Sequence, residues 1–353
     1  MKPIVAVLLG TVLLTGCIPV EVKRNRAGVF AYRIENGVAV LAPGSKEARK
    51  FTALLGKGEK CQPVWLEWSP DGRQLALACD RGDDRAALCT LDPATGAVRT
   101  LASHPRGMWF PRYAPDGQTL GFAISDDADN QLRAELHVVS LQTGAERLLV
   151  KRCGLLHAWS PDGKSVAVVQ TSAPAIVDDE LTVGSLVLVD VATGNTTRLA
   201  TVFFSHFTHL RFSPDGQRIY FCAPRLTLPA APIDMDKVPY GLFVFDRGKK
   251  ATVLLSRPEE RVLYSAPSPS GKAMLYVAAR KDKVLEGAVI LLDEETRERT
   301  EIADNNGDLF PFWADENRIA FASGGKPKRV LARDRSGANE EDLTAQFAGI
   351  DID

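Results

Sequence analysis

Beyond its first 20 residues this chain of 353 has no apolar run long enough to cross a bilayer, which excludes a polytopic helical membrane protein. It also lacks net charge, with 43 Lys and Arg against 44 Asp and Glu. A chain so balanced exerts no bulk pull on DNA, RNA or anionic lipid, so nucleic acid is not an expected partner. Helical periodicity is missing too, since no segment keeps it for ten residues. Absent as well are a Walker loop, a G-x-G-x-x-G after a strand, a His-Glu zinc helix and a G-x-S-x-G elbow. With 6 cysteines but no C-x-x-C pair, redox catalysis is unsupported. No catalytic residue is nominated, and no cofactor or metal is expected.

What is present begins with an address. Lys2 precedes an apolar run from Ile4 to Leu14, and a helix of those eleven residues covers roughly 16 Å, about half of a bilayer core. It reads as the core of a signal peptide. The segment ends Leu14-Thr15-Gly16-Cys17, which resembles the lipobox of bacterial lipoproteins. That resemblance implies cleavage before Cys17 and a diacylglyceryl group on its thiol. Acyl chains worth about 0.8 kcal/mol per buried methylene then hold the protein on a membrane. Ile18 stands where an Asp tends to retain enteric lipoproteins in the inner membrane. The expected location is therefore the outer membrane, facing the periplasm.

One phrase dominates the rest. Trp68-Ser69-Pro70-Asp71-Gly72 returns as Tyr113-Ala114-Pro115-Asp116-Gly117, as Trp159-Ser160-Pro161-Asp162-Gly163 and as Phe212-Ser213-Pro214-Asp215-Gly216. Degenerate copies stand at Pro267-Ser268-Pro269-Ser270-Gly271 and Trp313-Ala314-Asp315-Glu316-Asn317. The equivalent positions 71, 116, 162, 215, 270 and 316 are 45 to 55 residues apart. In each copy an aromatic ends an apolar strand, Pro sets φ, and Asp-Gly admits the positive φ of a tight hairpin. A second strand follows, then a third ending in Asp (Leu88 to Asp92, Leu186 to Asp190), a second turn, and a fourth ending Arg-x-Leu. A four-stranded unit at this period has the spacing of propeller blades.

These residues resemble the TolB-like propeller repeat, a relative of the WD-repeat blade, over about residues 28–344. The resemblance implies an all-β propeller of four-stranded antiparallel blades. Six phrases mark six units, and Val29 to Thr52 matches strands two to four of another. The expectation is thus seven blades, with the missing first strand supplied by Gln346 to Ile352; six blades with an added hairpin is the alternative. The expected domains are a signal peptide over 1–16, a lipidated tether over 17–27 and the propeller over 28–353. The chain departs from TolB itself in carrying a lipobox and in lacking an α/β domain ahead of the propeller.

A site is sought where each first strand begins, around the mouth of a central channel. Six residues before each turn position stand Trp65, Phe110, Leu156, His209, Tyr264 and Phe310, mostly aromatic, with His157 beside them. They read as an aromatic collar; the competing reading packs them between blades as core. Two long loops, 171–184 and 223–240, are expected on the same face and to share in recognition. Weaker signals are set aside. His206 and His209, three apart on a strand, point to opposite faces and do not share a metal. The Asp126 to Asn130 turn lacks the glycine and distal Glu of an EF-hand loop. Arg81-Gly82-Asp83 reads as a coincidental tripeptide. Among the cysteines left after Cys17, Cys79 and Cys89 flank one hairpin loop and are the pair expected to bond.

The function expected is non-catalytic. A lipid-anchored periplasmic propeller acts as a scaffold that binds an envelope protein or peptide at its channel mouth, a partner the sequence does not name. The alternative is an envelope enzyme or a small-ligand or glycan binder, with His209 or His157 at the mouth.

Overall fold

The structure, a computed structural model, describes residues 22–34, 37–52, 54, 61–82, 85–124, 133–171, 182–204, 209–225, 238–280, 286–307, 309–323 and 329–347. Cys17, Asp83, the Asp126 to Asn130 turn, His206 and most of both long loops lie outside the described residues. Among the described residues every regular element is a strand. The first sheet pairs β1 (Val22–Arg24), β2 (Phe30–Ile34), β3 (Gly37–Leu41) and β4 (Arg49–Phe51) in that order. The second holds β5 (Gln62–Trp68), β6 (Leu75–Gly82), β7 (Arg85–Leu91) and β8 (Val98–His104). Next come β9 (Met108–Tyr113), β10 (Thr119–Ile124), β11 (Ala134–Ser140), β12 (Glu146–Trp159), β13 (Ser165–Thr171), β14 (Thr182–Asp190) and β15 (Thr196–Phe204), joined in one sheet. Four more strands follow, β16 (Leu210–Phe212), β17 (Arg218–Pro224), β18 (Tyr240–Asp246) and β19 (Ala251–Leu254). The last two sheets are β20 (Arg261–Pro267), β21 (Ala273–Ala279), β22 (Glu286–Asp293) and β23 (Arg299–Asn306), then β24 (Phe312–Trp313), β25 (Arg318–Ser323), β26 (Arg329–Asp334) and β27 (Glu341–Asp342). All pairings are antiparallel, β1, β5, β9, β12 and β16 lie side by side in succession, and β24 returns to β1. This is an all-β propeller.

The turn phrase is a small hydrogen-bonded machine. Ser69 Oγ donates to Asp71 Oδ1 at 2.6 Å and accepts from the Gln74 amide at 2.9 Å, while Arg73 N donates to the same carboxylate. Ser160 with Asp162 and Ser213 with Asp215 repeat the arrangement. These bonds hold the carboxyls of Asp71, Asp162 and Asp215 below the usual carboxylate range, the serine hydroxyl contributing most. The aromatic of the phrase ties its sheet to the preceding inner strand. Nε1 of Trp68, Trp159 and Trp313 donates at 3.1 Å to the carbonyls of Lys23, Arg112 and Ala266. At the rim, Arg49 and Arg99 of fourth strands reach the carbonyls of Pro93 and Leu141, each beside the next sheet's outer turn. Apolar cores fill the gaps between sheets, such as Ala31, Val38, Leu66, Trp68 and Leu77 between the first two.

Four expectations are corrected. The count of seven blades, or six, is wrong: the structure shows five four-stranded blades as separate sheets. The remaining sheet has seven strands because β12 runs for 14 residues, pairing β11 through Leu148 and Val150 and β13 through His157 and Trp159. No turn interrupts it, so spacing of turns does not count sheets. Second, the first sheet takes its first strand from β1, not from the C-terminus. Third, Val22–Arg24, assigned to a tether, is therefore part of the propeller. Gln346 and Phe347 lie in a turn, and the Phe347 ring wedges between Phe30, Tyr32 and Phe312 at 5.5, 5.6 and 5.7 Å, closing the ring by packing. Fourth, Cys79 bonds to Cys61, not Cys89. Pairing of Pro63 with Cys79 brings Cys61 alongside, whereas Cys89 faces Leu77 farther along and stays a buried thiol.

Candidate binding face and axial cavity

The inner strands are irregular at one end. Register shifts fall between Pro63 and Trp65 in β5, around Phe110 in β9, between Cys153 and His157 in β12 and between Val262 and Ser265 in β20. Phe110 there adopts φ 49°, a left-handed conformation that a bulky side chain rarely takes. Bulges re-aim side chains, and they recur beside functional sites. The rings at this end form two groups. Trp65 lies against Phe110 with centroids 4.1 Å apart, and Tyr264 touches both His209, at 5.5 Å, and Phe310, at 4.9 Å. Tyr264 is buried, and Trp65, Phe110, His209 and Phe310 are half-buried. Indole Nε1 of Trp65 and Nδ1 of His209 are buried and complete no hydrogen bond among the described residues, so this face offers chiefly ring surface.

His157 does not join these rings. It is 1% exposed and lines a cavity of about 450 Å³ toward the turn end of the same strands. Glu67, Arg112, Tyr113 and Arg211 line that cavity too, walled by Pro70, Pro115, Pro161, Pro214 and Pro269 of the turns. Glu67 sits between two cations, bonded to Arg112 Nη1 and 3.3 Å from Lys23 Nζ. Arg211 donates to its neighbour's carbonyl, Leu210 O, at 2.8 Å. Burial alone pushes the Glu67 carboxyl up, and Lys23, Arg112 and Arg211 outweigh it, so the group stays ionised. Burial, with help from Arg112, pushes the His157 imidazole down to about 3. Leu155 and Gly121 backbone approach the ring and offset part of this, without either nitrogen reaching hydrogen-bonding geometry. His209 is lowered well below its ordinary value by burial and then by Arg211, Arg112 and Lys23.

Sequence reasoning missed Glu67, Arg112 and Arg211. All three stand four residues before the turn Asp, so they share the strand face of the collar position two residues earlier. That alternation was the available signal. Among the described residues no group of three or more His, Cys, Asp or Glu is placed to hold a metal ion.

No protein-family model matches the chain. It is 31% identical over 163 residues to an uncharacterized peptidase of Bacillus subtilis, covering 44% of this chain and 21% of that one. An uncharacterized protein of Agrobacterium fabrum is 31% identical over 196 residues, 52% of this chain and 61% of the relative. The chain thus spans about a fifth and about three fifths of these two curated relatives. Among solved structures, TolB from Acinetobacter baumannii aligns over 94% of this chain and 81% of its own, with a TM-score of 0.54 at 14% identity. The fold is that of a TolB-like β-propeller. It is also the fold of an oligogalacturonate lyase and of propellers in prolyl endopeptidases and a dipeptidyl peptidase, so architecture alone carries no activity.

Proposed function

We propose that this chain is a non-catalytic binding propeller of the bacterial envelope, anchored through a lipid on Cys17, that holds a protein or peptide segment on its aromatic face. The observation that carries the reading is the pair of ring groups at this end of the inner strands, Trp65 with Phe110 and His209 with Tyr264 and Phe310. Half-buried aromatics supply large contact area at low entropic cost, the composition of binding hot spots. The Cys61–Cys79 disulfide supports an oxidising compartment such as the periplasm. The enzymatic alternative puts His209 or His157 at the mouth to handle a small ligand or glycan. Both imidazoles are held neutral by burial and cationic neighbours, far from the poise a general base needs near neutral pH. The test is affinity capture from solubilised membranes with the wild type, Trp65→Asp and Phe310→Asp. Loss of the captured protein in both variants is the expected result, and equal recovery overturns the assignment of this face.

A further inference from the structure

β1 fixes where the chain enters the propeller. Lys23 O accepts from Trp68 Nε1 at 3.1 Å, as Arg112 O accepts from Trp159 Nε1 at 3.1 Å, so Lys23 stands at the level of Arg112. Val22 accordingly stands at the level of Pro111, one residue from the collar residue Phe110. Val22 is buried and packs in the core with Tyr32, Leu41 and Phe312, which holds this point of the chain in place. After Arg24 the chain turns at Asn25, whose Nδ2 donates at 3.0 Å to Gly72 O in the Pro-Asp-Gly phrase of the next blade. β1 therefore runs from the aromatic end to the turn end, and the chain arrives at Val22 from the aromatic end.

Five residue steps separate Cys17 from Val22, and a chain spans at most about 3.6 Å per residue, so a lipid on Cys17 lies within roughly 18 Å of Val22. The turn face is beyond that reach. Round the outside, four strands at about 4.8 Å spacing take roughly 14 Å, and a strand the length of β8 adds roughly 24 Å. Down the axis, a reversal uses a turn of about four residues, and the anchor would end among the inner strands. The rings, for their part, are not raised as membrane anchors. Tyr264 is buried and its companions are half-buried. The exposed large apolar side chains among the described residues are Leu148, where β12 pairs β11, and Val253 of β19, both on outer strands. Aromatics that anchor a protein in lipid sit out in the headgroup layer; these are set back into the fold, where a chain segment can reach them.

We propose that the aromatic face is turned toward the bilayer that holds the lipid, and that it takes the juxtamembrane stretch of a protein embedded in that same membrane. The proposal rests on the lipid anchor and the aromatic face of the proposed function, and adds to them a direction and a class of partner. The mouth stands within roughly 20 Å of the headgroups, a gap that about six extended residues cross.

Energy transfer from the intact lipidated protein to an acceptor lipid in phosphatidylcholine vesicles tests the direction. Donor dyes are placed on Ser103→Cys, at the aromatic end of β8, and on Ala94→Cys, in the turn before it; both positions are exposed. They stand roughly 20 Å apart along the blade, so transfer from Ser103→Cys is expected to exceed that from Ala94→Cys by about twofold or more. Inserting about twenty Gly and Ser residues after Ile18 makes the two alike. Equal or reversed transfer in the unmodified chain overturns the direction. Wild-type protein that floats with vesicles no better than Cys17→Ser overturns the anchor, and the direction with it, and is told apart because neither dye then transfers. No partner is present in this measurement, so it is separate from the capture that tests the aromatic face. The captured protein is expected to resist carbonate extraction from its membrane, and one that carbonate releases overturns the embedded partner. Quenching of tryptophan by brominated acyl chains that is lost in Trp65→Phe puts the rings in lipid and overturns that partner too.

Discussion

The same inner strands end in two different ways. At the turn end, short-range hydrogen bonds set the backbone: Ser69 with Asp71, Ser160 with Asp162 and Ser213 with Asp215 repeat one geometry three times over. At the other end β5, β9, β12 and β20 each carry a register shift of their own, β1, β16 and β24 show none, and what most of them share is the kind of side chain they present. The difference teaches where a propeller keeps its freedom. Local chemistry fixes the turn end regardless of neighbours, while the bulged end depends on tertiary packing and is open to change without loss of the ring. A recognition surface belongs where residues vary without unfolding the scaffold.

The contrast breaks most visibly at the disulfide, because Cys61–Cys79 is the covalent tie at the bulged end of β5 and β6. Cys61→Ser with Cys79→Ser frees a loop of sequence separation 18, and a loop near that size contributes about 3 kcal/mol. Urea titration of the double variant is expected to show that loss, and a midpoint equal to the wild type places the stability of this end elsewhere. Next in size is Gly271→Val at the turn end. Gly271 has φ 70°, and a Cβ there stands 2.4 Å from Pro214 Cγ, so strain and a clash between adjacent turns act together. A loss of about 2 kcal/mol is expected; Gly44→Val, with φ 74° and nothing within 4 Å, isolates the backbone part and costs less.

A smaller effect follows pH. The folded-state carboxyls of Asp71, Asp162 and Asp215 are lowered, so their stabilisation is fully present above the unfolded value of about 3.9 and is lost as pH falls through the folded values. Thermal midpoints of the wild type are expected to drop below about pH 4, and Asp162→Asn to flatten part of that slope. Because these groups are nearly exposed, each share is small. A slope unchanged in Asp162→Asn assigns the acid sensitivity to other carboxyls.

Much of the fold was legible because its determinants are local. The Pro-Asp-Gly bends and the aromatic that ends the strand before each stand where their spacing put them. What escaped was set by longer reach. Val22–Arg24 hides in a charged stretch without Pro-Asp; its turn is made by Asn25, which accepts from Val29 N, donates to Gly72 O across the next sheet, and precedes Gly28 at φ 80°. The single seven-stranded sheet arises because β12 bends at Arg152, φ 57°, without breaking, and nothing in turn spacing distinguishes a bend from a break. Of the collar positions, Trp65 meets Phe110 and Tyr264 meets His209 and Phe310, while His157 lines the cavity. His157 is one residue on from the collar position Leu156 and so faces the other side of the strand, the register from His157 to Trp159 being unbroken.

The smallest expected effect on stability separates recognition from core most sharply. Phe110 is half-buried at φ 49°, and its ring contact is Trp65. Phe110→Gly removes the ring, forfeiting an aromatic pair worth about 0.5–1.5 kcal/mol, and also relieves a backbone that costs a bulky residue about 1–3 kcal/mol. The two nearly cancel, so the melting free energy is expected to change by no more than about 1 kcal/mol. A ring serving as core costs about 3–5 kcal/mol when truncated. Chemical denaturation therefore decides between the readings without knowledge of any partner. A near-neutral Phe110→Gly that also loses the captured protein means that strain is stored at this end to hold a ring outward, whereas a loss near 4 kcal/mol returns Phe110 to the packing between sheets, where the turn end's logic of local stability applies.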